Sequence, residues 1–214
     1  MGHLVVGSYF SASIGRFRDS VVRFVQRHRR VVLRLMEGTR AELLAAIQAG
    51  EADVAVLFGP RDEYDLDRLT LWNEAALVAL NKEHPLAKAS TIRWRQLVSE
   101  TFLVTRHGAG PEARAKVEAH LPRDHMARFA EHDVSRETMF NLVGAGLGVT
   151  LLAESASGAS YPGVVFRPVG DEYGPTMIEA AAYWDPKREN PALRRFLALL
   201  RAAQEPASPD TGAV

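Results

Sequence analysis

Apolar residues along the chain alternate between short continuous runs and spacings of three and four, which reads as strands followed by helices. Leu4-Val5-Val6-Gly7 predicts a first strand, and Ser8, Ser11, Ala12, Ser13 and Gly15 a small polar turn after it. From Arg16 to His28 a helix is predicted, with Phe17, Val21, Phe24 and Val25 at i, i+4, i+7 and i+8. A second strand runs from Val31 to Glu37, rich in β-branched and long apolar side chains. Thr39 and Glu42 then form the Thr-x-x-Glu pattern of a capping box, which satisfies orphan amides at a helix start. Leu43, Leu44 and Ile47 supply the apolar face of that helix, and Gly50 is placed to end it. Val54-Ala55-Val56-Leu57-Phe58 is apolar throughout, as in a strand covered on both faces. This β-α-β-α-β order points to a parallel sheet flanked by helices.

Beyond Gly59-Pro60 the pattern changes. Leu69 to Trp72 and Ala75 to Leu80 predict two further strands, and Ile92 to Val98 a short helix. Phe102-Leu103-Val104 opens a second α/β set. It continues with a helix from Pro111 to His120, a strand at Ala127 to Ala130, a helix at Ser135 to Gly144 and a strand at Val149 to Leu152. Val164-Val165-Phe166 and Met177 to Tyr183 predict two more strands, and Ala192 to Ala202 a last helix. Residues 206–214 read as a disordered polar tail. The expected division is residues 1–80 plus 164–205 as one subdomain and 81–163 as the other. Sheets of this kind bind ligands beyond the carboxyl ends of their strands, so two facing lobes make a cleft.

Composition narrows the chemistry. With 26 Lys plus Arg against 26 Asp plus Glu, the formal net charge is zero, so nothing in the overall balance recommends duplex DNA as a partner of these residues. The absence of cysteine excludes disulfides, thiolate metal sites and cysteine nucleophiles. No His-Glu-x-x-His, Gly-x-Ser-x-Gly or Walker-type motif occurs, and the histidines show no ligand spacing, so neither a metal, a cofactor nor enzymatic activity is expected. No export signal is visible, which suits the cytoplasm. Gly144-Ala145-Gly146-Leu147-Gly148 looks superficially like a dinucleotide fingerprint, but it follows a predicted helix and enters a strand. A phosphate-cradling loop needs the opposite order, and a helix stop with a tight turn accounts for these glycines.

Polar groups at several turns are candidate ligand contacts. Ser11-Ala12-Ser13 between strand and helix either holds an anion on free amides and hydroxyls or caps the helix. Gly38-Thr39 either caps the next helix, faces the cleft, or does both. In Thr105-Arg106-His107, after a strand of the second lobe, the arginine either grips a carboxylate or stays in water. Val149-Thr150 lines the cleft from beyond the glycine turn.

In four stretches taken in order, the chain resembles the effector-binding domain of LysR-type transcription regulators. They are Val6-Gly7-Ser8-Tyr9-Phe10-Ser11, Glu37 to Leu44 running into Ile47 to Ala55, Leu77 to Leu86 with Glu83-His84-Pro85-Leu86, and Leu142 to Leu152. The resemblance implies an α/β fold of two Rossmann-like subdomains joined by crossover strands, like type 2 periplasmic binding proteins. It implies a small effector between the lobes, an organic or aromatic acid being the expectation. Its contacts would be Ser11, Ala12, Ser13, Gly38, Thr39, Thr105, Arg106, His107, Val149 and Thr150. It further implies an antiparallel homodimer using the helix from Arg16 to His28, and a tetramer in the parent regulator. The resemblance also implies that the parent regulator reaches DNA only through a winged helix-turn-helix ahead of residue 1. Arg16, Phe17 and Arg18 depart from the leucines and proline that family members often carry there. A stand-alone or periplasmic solute-binding protein of the same plan is the alternative function, and an enzyme on a two-lobed scaffold a third.

Overall fold

The computed structural model describes residues 2–9, 15–59, 65–122 and 125–203. Ser11, Ala12, Ser13 and the 206–214 tail lie outside the described residues. In chain order the elements are β1 (Gly2–Ser8), α1 (Gly15–Arg27), β2 (Val31–Met36), α2 (Arg40–Ala49), β3 (Val54–Phe58) and β4 (Asp67–Asn81). There follow β5 (Ile92–Arg93), β6 (Thr101–Thr105), α3 (Gly110–His120), β7 (Arg128–His132), α4 (Arg136–Gly144) and β8 (Thr150–Ala153). The chain closes with β9 (Val164–Asp171), β10 (Gly174–Pro175), β11 (Met177–Trp184) and α5 (Pro191–Ala202).

The first lobe grows from the opening β-α-β-α-β unit. β1 lies between β2 and β3 and is parallel to both. β3 is a central strand, paired with β1 on one side and antiparallel β11 on the other, and all five of its residues are buried in the core with α2 and α5 side chains such as Leu43, Ile47 and Phe196. α2 starts at the Thr39 capping box, where the Glu42 carboxylate accepts from the Thr39 amide at 2.7 Å. It stops at Gly50, whose φ of 75° is a left-handed conformation that favours glycine. α1 and α5 lock together through Phe24 and Phe196, ring edge to face at 5.2 Å.

β4 carries the chain out of this lobe. The two strands expected over residues 69–80 are one continuous 15-residue strand. It pairs antiparallel with β11 as far as Ala75, then from Ala76 with β8 and β9. Two polar residues, Asn73 and Glu74, separate the two apolar runs in the sequence. In the structure Glu74 is 7% exposed and satisfied at both oxygens. Trp72 Nε1 donates to one at 2.7 Å and the Ser155 amide to the other at 2.8 Å. The short helix expected over residues 92–98 is a 3-10 helix confined to Trp94–Leu97, and its first two residues belong to a strand instead. That strand, β5, pairs with β9. Long-range contacts override the local pattern: Ile92, Trp94 and Leu97 are buried, and Trp94 Nε1 donates to Thr176 Oγ1 at 2.8 Å.

The second lobe is built on parallel β6 and β7, with α3 as their crossover. A bridge between Phe102 and Val149 joins this pair to the strand entering β8. α4 is capped by Ser135 and packs Met139, Phe140 and Val143 against Ala79 and Leu103. Gly144 ends α4 and β8 begins at Thr150, the helix-to-strand order read for the glycine-rich turn. The return path runs along β9 and β10 into β11, which re-enters the first lobe.

Candidate functional site

The carboxyl ends of β1, β2, β3 and β6 open onto one cavity of about 850 Å³, lined mostly by apolar side chains. From the first lobe it meets Tyr9, Glu37, Gly38, Glu42, Phe58 and Ile178. From the second come Thr105 to Gly110, less Arg106, one face of α3, the start of α4, and β8 with the 3-10 turn after it. A volume of this size holds a small organic molecule.

At the end of β1, Tyr9 is clamped rather than free to reach a ligand. Its hydroxyl donates to the Phe58 carbonyl at 2.7 Å and accepts from the Phe58 amide at 2.6 Å. Burial pushes its phenol well above the ordinary value, and the nearby Glu112 carboxylate adds to the effect. Tyr9 is therefore a neutral plug that ties the exit of β1 to that of β3. Arg40 supports the same corner by donating to the Phe58 carbonyl at 2.7 Å and stacking on Tyr183.

Around the β2–α2 turn, Gly38 lines the cavity while Thr39 is engaged in capping and is not part of the lining. The Thr39 amide and hydroxyl hold the Glu42 carboxyl below the usual carboxylate range, and His107 contributes from the other lobe. Across the cleft, Thr105 and His107 line the cavity; Thr105 Oγ1 donates to the His107 carbonyl at 2.7 Å. His107 Nε2 lies 3.1 Å from Asp133. Arg106 is outside the lining: its side chain is 65% exposed and forms an ion pair with Glu131 at 2.9 Å. Thr150 is in the wall with its hydroxyl donating to the Leu103 carbonyl at 2.7 Å, whereas Val149 is buried behind it. Thus Gly38, Thr105, His107 and Thr150 come together at one cavity.

Residues that the sequence reading passed over shape the rest. α3 turns Glu112, Ala113, Ala115, Lys116, Ala119 and His120 toward the cavity, and its alanines keep that wall shallow. Gly110 permits the tight approach of α3 to β6, since a Cβ there would collide with the Thr105 carbonyl. Lys116 and Arg136 are half-buried in the wall, and neither forms an ion pair with a described carboxylate. His120 is fixed in place by stacking on Trp94 at 4.8 Å and by a 2.8 Å contact of Nδ1 with the Lys116 carbonyl. The available signal was a face of small residues at i, i+4 (Ala115, Ala119) with a lysine beside it. Among the described residues no cluster of His, Asp and Glu suited to a metal ion occurs, and no helix is long and apolar enough to cross a membrane.

Residues 1–205 match the family model of the LysR substrate binding domain. The Hca operon transcriptional activator HcaR of Escherichia coli (strain K12) is 27% identical over 199 residues, covering 92% of this chain and 67% of that protein. The chain spans roughly half to two thirds of the length of the curated relatives it matches. Among solved structures, the effector binding domain of QuiR in complex with shikimate superposes with a TM-score of 0.77 at 17% identity, covering 95% of this chain and 97% of that one. The BenM effector binding domain with its effector benzoate gives 0.75 at 16%, covering 96% of each. These likenesses show the fold: α/β, with two lobes joined by crossover strands in the type 2 periplasmic-binding-protein arrangement.

Proposed function

Since the chain belongs to the LysR substrate binding domain family, we propose that the inter-lobe cavity is the effector site of a transcription regulator and that the effector is a small organic or aromatic acid. One observation supports the choice of ligand: Lys116 and Arg136 stand in the wall and make no salt bridge within the described residues, in a lining that also holds Glu37, Glu42 and Glu112. A carboxylate entering the cavity finds those two cations and apolar area for its ring or chain, while the Thr105 and Thr150 hydroxyls, which donate to the His107 and Leu103 carbonyls, shape the wall. The shikimate and benzoate bound by the QuiR and BenM domains are acids of that size, which supports the reading. Both lobes contribute to the wall, so a ligand touching both favours one lobe arrangement by its differential affinity. In this reading the halves 1–80 plus 164–205 and 81–163 move relative to each other.

Coupling to transcription passes through the parent regulator. It works in the cytoplasm as a homodimer or tetramer and meets DNA through a helix-turn-helix segment beyond this chain. The exposed Val25 on α1 and Val32 and Leu35 on β2 at the sheet edge support α1 and β2 as the pairing face. A thermal-shift screen of organic acids tests the cleft, because a ligand of the native state raises its melting temperature. Titration calorimetry on Lys116→Ala and Arg136→Ala should then show at least a tenfold loss of affinity for any acid found, about 1.4 kcal/mol each. Unchanged affinity in both variants would reject the anion assignment.

A further inference from the structure

Charge is unevenly placed in this formally neutral chain. Between residues 16 and 34 stand seven arginines (16, 18, 23, 27, 29, 30 and 34) against a single acid, Asp19. Part of that run converges with α5. A hollow of about 360 Å³ is lined by Gln26, Arg27, His28, Arg29, Arg30, Val31 and Arg195, with no carboxylate among them. The Phe24–Phe196 contact fixes α1 against α5 and so holds Arg27 and Arg195 at one end of the lobe. Arg27, Arg29, Arg30 and Arg195 are exposed, and none forms an ion pair within the described chain.

Helix capping explains only Arg27, which lies in the last turn of α1 and complements its dipole. Arg29 and Arg30 follow the helix, and Arg195 belongs to another one. Like charges crowded around one concavity repel, so their grouping destabilises the lobe unless an anion occupies it. All four are arginines; the chain's lysines, Lys82, Lys88, Lys116 and Lys187, lie elsewhere. The guanidinium fork suits phosphate oxygens. The hollow also adjoins the start of β1, where the Gly2 amide donates to the Arg30 carbonyl at 3.3 Å.

We infer that the hollow where α1, β2 and α5 meet is a contact site for the phosphate backbone of duplex DNA, gripped by Arg27, Arg29, Arg30 and Arg195. The choice of DNA among polyanions rests on the regulator reading, in which a DNA-binding segment joins the chain ahead of β1, beside this hollow. Contact here is blind to base sequence and adds to whatever that segment reads. The neutral overall charge is no obstacle, because the field that matters is that of one face.

The test is fluorescence anisotropy of this chain with a labelled duplex of mixed sequence, across a sodium chloride series. Four phosphate contacts give a log–log salt slope of about −3 to −4. Replacing Arg27, Arg29, Arg30 and Arg195 with Gln should weaken binding at least about tenfold at low salt and bring the slope near zero. Arg95→Gln with Arg128→Gln should leave both unchanged, and equal melting temperatures show that the variants are folded. Binding that is absent, or undiminished in the fourfold variant, overturns the assignment. So does equal binding of polyglutamate, which would mark an acidic protein surface as the partner, or a smaller sedimenting species in the variant, which would mark a subunit contact. A failed effector screen beside a successful DNA titration rejects the cleft reading and leaves this one standing; the reverse rejects this one alone.

Discussion

Replacing Glu74 with alanine should destabilise the protein by roughly 2–5 kcal/mol, more than most single substitutions do. Glu74 sits where β4 is about to change partners and is 7% exposed. Its carboxylate accepts from Trp72 Nε1 at 2.7 Å and from the Ser155 amide at 2.8 Å. Truncation strands both donors, and each buried donor left unsatisfied costs about 1–3 kcal/mol. For a chain of this size that corresponds to a fall of roughly 5–15 °C in melting temperature. Urea unfolding followed by far-UV circular dichroism measures the loss as a shift in midpoint at constant slope. Glu74→Gln retains one acceptor oxygen, so its loss should fall between wild type and alanine. Trp72→Phe removes one donor from the start, so the double variant Trp72→Phe/Glu74→Ala should lose less than the sum of the singles by about 1 kcal/mol or more. A loss below about 1 kcal/mol for Glu74→Ala, or strict additivity in the cycle, refutes the reasoning.

Tyr9→Phe removes both the acceptor of the Phe58 amide and the donor to its carbonyl, and should cost about 1–3 kcal/mol by the same denaturation assay. Burial raises the Tyr9 phenol in the folded state, so its contribution is complete below the unfolded value near 10 and is lost as pH rises above it. Ultraviolet titration should show one tyrosine that ionises only with unfolding. Glu42 behaves oppositely: its folded carboxyl is lowered by the Thr39 amide and hydroxyl, so the capping contribution is present above about 4.3 and fades as pH falls through the folded value. Carbon-detected NMR titration should find Glu42 lowered from the ordinary glutamate value in wild type and closer to it in Thr39→Ala.

Elements held by neighbours in sequence were legible before any coordinates. Thr39, Glu42 and Gly50 specify the start and stop of α2 within a dozen residues, and the apolar run at Val54–Phe58 identifies a covered strand. The glycine turn at 144–148 reads correctly from its order alone, helix before strand. Beyond that reach the same reasoning failed in identifiable places. Asn73 and Glu74 separate two apolar runs, and the Ser155 amide bonded to Glu74 is 81 residues away. Ile92 looked helical because its strand partner, Val169, lies far along the chain.

The division follows from the range of the forces involved. Capping, periodicity and turn chemistry act over a few residues, so the alternation of strands and helices, the two α/β sets and the turns at their strand ends could be read from the chain alone. Burial of polar groups and the shape of a cavity depend on elements that meet only after the chain has crossed between lobes. Only the tertiary structure could decide that Lys116 and Arg136 face one pocket with Thr105, His107 and Thr150, while Thr39 caps a helix and Arg106 turns toward Glu131.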